Sequence, residues 1–223
     1  MKTGLNYEKF NPVIFNLHTS WESVEKFYKT ISVVLHPIVI PTIGVFLYFF
    51  LTPNNLESQQ KLAILSLVFI TTYLIPLLIL IIFKKIKLVK SFKTKSIRER
   101  KLPIAIMIIL FYLLGNTIVN ISQIRDLGIL FYASSFGLIL IYFLFGFNLK
   151  TSIHLMSIGI ATSFFLILGE VYPINYVPII VIGFLFAGLL GNARLYLNAH
   201  TTTEVYLGFF TGFIAPISVY LFL

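Results

Sequence analysis

The chain has 223 residues, of which 58% are hydrophobic and 11% charged, with a mean hydropathy of +0.93 and a formal net charge of +9. Soluble domains carry about 25% charged residues, so this composition excludes a globule that faces water on all sides. The absence of cysteine excludes disulfides, thiolate nucleophiles and Cys-ligated zinc or iron–sulfur centres, and the positive charge favours phosphate headgroups over nucleic acid as a partner.

Residues 1–30 form a polar and aromatic leader without the apolar core of a cleavable signal peptide. Thr19 and Glu22 have capping-box spacing, and Trp21, Val24, Phe27, Tyr28 and Ile31 then fall on one helical face. The pattern predicts either an interfacial helix leading into the membrane or a helical extension of the first span.

Seven apolar runs follow, at 31–51, 62–83, 103–119, 128–148, 152–169, 176–191 and 203–223. Each approaches the ~20 residues that cross a bilayer. They predict an all-α transmembrane bundle of six or seven helices, forming one domain over 31–223. The third and fourth runs also fit a tilted or re-entrant pair, which returns the chain to the same side. Pro37, Pro41, Pro76 and Pro216 lie inside runs, where neighbouring helices can satisfy the freed carbonyls.

Alternating spans place the N-terminus, the 84–101 loop and the junctions at 150–152 and 192–201 on one side. The loop carries nine basic residues and one acid, Glu99. Of the 17 Lys and Arg, only Lys61 and Arg125 fall opposite, so the positive-inside rule predicts that the basic side is cytoplasmic, at the cell membrane. Such a loop by itself needs no further role.

Three of these junctions carry the chemistry. The first holds Lys93, six residues, then Arg100, with Pro103 beyond it. In the second, Thr151-Ser152-Ile153-His154 opens a span. The third reads Ala193-Arg194, five residues, His200, three residues, Glu204. Lys93, Arg100 and Arg194 can neutralise phosphoryl oxygens, arginine through a planar fork. Ser152 and free amides at a helix N-terminus add donors. Glu204 lies one turn from His200 and can hold one ring N–H, freeing the other nitrogen for attack. His154, on another helix, can protonate the departing oxygen. Nucleophile, orienting acid, general acid and cationic clamp make a set for phosphate-ester cleavage without metal or other cofactor.

These residues resemble the type-2 phosphatidic acid phosphatase superfamily, whose pattern is K-x6-R-P, P-S-G-H, then S-R-x5-H-x3-D. The resemblance covers Lys93 to Glu204, in order, with each motif at the edge of an apolar helix. It implies that His200 is the nucleophile that becomes phosphorylated and His154 the general acid. Lys93, Arg100, Ser152 and Arg194 then bind phosphate, and Glu204 orients His200. It also implies a lipid substrate in the bilayer: a prenyl pyrophosphate, phosphatidylglycerol phosphate, phosphatidic acid or a lipid A phosphate. Thr151, Ile153, Ala193 and Glu204 depart from the pattern, replacing Pro, Gly, Ser and Asp. On those departures rests the rival reading, a catalytically silent membrane subunit that binds lipid phosphate or serves in assembly. The remaining histidines, His18 and His36, read as structural; Asn116 reads as a helix–helix contact and Glu170 as a span end away from the site.

Overall fold

The computed structural model describes residues 12–89 and 96–222, with side chains from residue 22 onward. Lys93 lies outside the described residues, as do the side chains of His18, Thr19 and Trp21. Helix α1 (Pro12–Val34) runs unbroken through Thr19 and Glu22, so Thr19 does not open it.

The predicted first span is broken. Residues 35–39 are not helical, and α2 (Ile40–Leu51) resumes beyond them. Pro37 removes one donor and disfavours helical backbone at His36, whereas Pro41 falls in the first turn of α2, where no donor is needed. With 12 residues, α2 is about 18 Å long, short of the ~30 Å hydrocarbon core. This break also ends the reading of α1 as a straight extension of the first span.

Among the described residues, six helices are long and apolar enough to cross a membrane. The first runs through α3 (Ser58–Phe69), a π turn at Ile70–Leu74 and α4 (Ile75–Lys85). In that turn the Ile75 N–H donates to the Ile70 carbonyl, five residues back, and the wider turn makes room for the Pro76 ring one residue later. Next come α5 (Ile97–Val119), α6 (Leu127–Leu144, continued by a 3-10 turn to Phe147), α7 (Ile153–Val171), α8 (Val177–Tyr196) and α9 (Thr202–Phe222). The fold is an all-α polytopic bundle. The third and fourth runs are two full helices, α5 and α6, packed along each other rather than a re-entrant pair. Helix α5 starts at Ile97, because Ser96 Oγ accepts the Glu99 N–H and caps it. Arg98, Arg100 and Lys101 therefore stand on its first turns, not in a loop.

Helices α6 and α7 form the centre, being 61% and 67% buried over their most apolar windows, against 22% for α8. Leu77, Leu78, Ile81 and Ile82 of α4 and Val181 and Leu185 of α8 remain exposed, as lipid-facing residues would. Short α2 still connects the two ends of the bundle. His36, before it, meets His154 at the start of α7, while Thr52, after it, shares a 2.8 Å hydrogen bond with Tyr176 beyond the end of α7. Tyr172 bonds Asp126 at that second end. The turns at 148–152 and 197–201 and the start of α5 therefore gather at the other end.

Small residues bring α7 and α9 into backbone contact. A Cβ added to Gly208 would lie 2.4 Å from the Ser152 carbonyl oxygen, and one on Gly159 would lie 2.6 Å from that of Phe209. Only glycine permits this approach, the small-xxx-small device of membrane helices. It fixes the helix that carries His154 against the one that follows His200.

Candidate active site

Local rules place His200 between two helices. Helix α8 ends with Asn198 at φ 49°, a left-handed conformation that asparagine tolerates, while the Ala199 N–H closes back on the Arg194 carbonyl at 3.0 Å. Thr201 then opens α9. Its Oγ1 accepts the Glu204 N–H at 3.4 Å, and Glu204 Oε2 accepts the Thr201 N–H at 3.3 Å, which closes a capping box. The same Oε2 lies 2.7 Å from His200 Nδ1. An ionised carboxylate can only accept, so the ring proton sits on Nδ1 and Nε2 keeps its lone pair. Glu204 thus caps the helix and orients the histidine at once. Across the helix pair, the Ser152 N–H donates to the Glu204 carbonyl at 3.0 Å and ties the start of α7 to the start of α9.

His200, His154, Arg100 and Arg194 line one cavity of about 1050 Å³. Helices α5, α7 and α8 and the turn before α9 each supply one of them. Deeper in the cavity the wall is apolar, with Met107, Phe111, Leu130, Leu138 and Ile160. A polar mouth on an apolar chamber suits a ligand with a charged head and a hydrocarbon tail.

The electrostatics favour an anion. Burial pushes the His200 imidazole below its ordinary range; the Glu204 bond opposes this, while Arg194, Lys150 and Arg100 push it further down. The Lys150 ammonium is lowered as well, by burial and then by Arg100. Arg194 Nε is buried without a hydrogen-bond partner. Lys29, Arg100, Lys150 and Arg194 against Glu25 on the wall and Glu204, committed to His200 and Thr201, leave a net positive pocket. No group of three or more His, Asp or Glu side chains that could hold a metal ion occurs among the described residues.

Two site residues escape sequence reasoning. Lys150 lines the cavity and reaches the Ala199 carbonyl at 3.3 Å; its position next to Thr151-Ser152 was an available signal. His36, which reads as structural in the sequence, lines the cavity too, with its ring 4.9 Å from that of His154. No local pattern marks it. Ser152, a predicted phosphate ligand, has its side chain fully buried, its Oγ unpartnered and no part in the cavity wall. The Thr151-Ser152-Ile153 turn directs the Ser152 backbone N–H, not the hydroxyl, to a neighbour. Glu204 reaches the cavity only through His200.

No known protein family, curated protein or solved structure matches this chain.

Proposed function

We propose that the chain is a membrane phosphatase that hydrolyses a lipid phosphomonoester or prenyl pyrophosphate through a phosphohistidine, without a metal. The observation that carries this reading is the His200–Glu204 pair at 2.7 Å on a cavity shared with His154 and two arginines from other helices. His200 Nε2 forms a bond to phosphorus while the bond from phosphorus to the leaving oxygen breaks. His154 donates a proton to that oxygen, then takes one from the water that hydrolyses the phosphohistidine. Arg100, Arg194 and Lys150 offset the charge on the phosphoryl oxygens, with Lys93 in the same role by resemblance. The apolar chamber accommodates the lipid tail.

Phosphate release from a panel of lipid phosphates, by purified protein in detergent with excess EDTA, tests the proposal. Hydrolysis that persists in EDTA and vanishes in His200→Ala, together with its phosphoenzyme, is the expected result. No turnover across the panel sinks it. The silent-subunit reading, favoured by the withdrawn Ser152 hydroxyl, then takes its place.

A further inference from the structure

We propose that His36 touches the substrate, donating its Nε2–H on the leaving-group side of the phosphoryl centre, so that the site prefers a lipid diphosphate to a monoester. This rests on the phosphatase reading above and narrows its substrate class.

His36 stands outside all three motif stretches and owes its place to the chain break at Pro37. There the Ile38 N–H donates to His36 Nδ1 at 3.3 Å. An amide can only donate, so Nδ1 carries the lone pair and the single ring proton of neutral His36 sits on Nε2. Burial and then Arg194 disfavour the protonated ring, consistent with a neutral donor. Its tautomer is opposite to that of His200, as befits a donor beside a nucleophile.

Position supplies the rest. The His36 ring meets the His154 ring edge to face, 4.9 Å between centroids at 80°. His154 is the group that protonates the leaving oxygen, so His36 lies where the leaving group departs. The cations divide accordingly. Arg100, Lys150 and Arg194 all act on His200, and of these only Arg194 acts appreciably on His36. From α1 the cavity wall adds Ser32 and, farther along the helix from His36, the Glu25–Lys29 pair. The leaving-group side thus holds a fixed neutral donor and a guanidinium, the Lys29 ammonium being already paired with Glu25.

An alcohol leaving from a monoester needs one proton and offers a single oxygen to these groups. A phosphate leaving from a diphosphate presents several charged oxygens and gains from each donor. In that reaction His200 Nε2 bonds to the terminal phosphorus as the bond to the bridging oxygen breaks. The bridging oxygen keeps the electron pair and leaves as the lipid monophosphate, and water then releases inorganic phosphate from the histidine.

The test compares a prenyl diphosphate with the monophosphate of the same prenol, in detergent, for the full-length chain and two variants. Asparagine can place an acceptor near Nδ1 but has no group at Nε2; glutamine can place an amide donor near Nε2. Wild type is expected to favour the diphosphate in kcat/KM. His36→Asn should lose about tenfold on the diphosphate, the value of one hydrogen bond to a charged group, and little on the monophosphate. His36→Gln should recover part of that loss. Equal losses on both substrates, an unchanged ratio in His36→Asn, or a wild type that favours the monophosphate each overturns the inference and leaves the phosphatase standing. Hydrolysis of neither compound by wild type overturns both.

Discussion

Replacing Gly212 by alanine tests the helix contact on which the site depends. The new Cβ would lie 2.0 Å from the Met156 carbonyl oxygen, 2.7 Å from its carbon and 2.8 Å from its Cα. All three are backbone atoms of α7, so no side-chain rotation relieves the clash. Opening the oxygen contact to 3.0 Å requires about 1 Å of separation between α7 and α9. Overpacking of this kind costs about 1–3 kcal/mol. The same movement strains the 3.0 Å bond from Ser152 N–H to the Glu204 carbonyl and shifts His200 relative to His154. A displacement of about 1 Å between reacting groups costs on the order of 100-fold in rate. Gly188→Ala on α8 is the control, because nothing lies within 4 Å of a Cβ there. Thermal unfolding in detergent and kcat on a lipid phosphate are the two readouts. Gly212→Ala should melt earlier than Gly188→Ala and turn over far more slowly. If the two variants behave alike, the backbone contact does not hold the site.

Other outcomes follow from the same geometry. Glu204→Gln weakens the bond to His200 Nδ1 and admits the wrong tautomer, so kcat should fall about 10- to 100-fold with KM nearly unchanged; Glu204→Asp should be milder, and a loss confined to KM contradicts an orienting role. Because burial and three cations hold the His200 imidazole below its ordinary range, the ring stays neutral to lower pH. The acid limb of kcat/KM should therefore fall below pH 6.5, and Lys150→Gln, which removes one depressing charge, should move it upward; a limb that rests at 6.5 in both proteins refutes the assignment. A cysteine introduced at Thr94 should resist impermeant thiol reagents in intact cells if the basic side is cytoplasmic, whereas labelling would place the site outside.

Composition and periodicity alone determine that this is an all-helical membrane bundle. A chain with 11% charge and repeated apolar runs of span length has no other way to satisfy its backbone. Local spacing likewise brings His200, Thr201 and Glu204 together, since a capping box and an i,i+4 pair are both built within one turn. What lies between runs is legible only where a short-range rule governs it. Thr19–Glu22 has the spacing of a cap, yet the helix passes straight through it, because a cap pattern acts only where the chain is not already helical. The first apolar run looks continuous, yet it breaks at Pro37, which has no N–H to donate and disfavours helical backbone at His36.

The tertiary structure decided which polar groups meet. His36 is 118 positions from His154 in the chain, and only the path of α2 from one end of the bundle to the other sets their rings 4.9 Å apart. Ser152 stands where the spacing predicts a phosphate ligand, yet its hydroxyl is buried in the interior, and Lys150, two residues earlier, stands on the cavity wall. Hydrophobic periodicity records which face of a helix is apolar, but not which neighbour it packs against. For that reason residue types and most spans were written in the sequence, and packing decided which polar groups line one cavity.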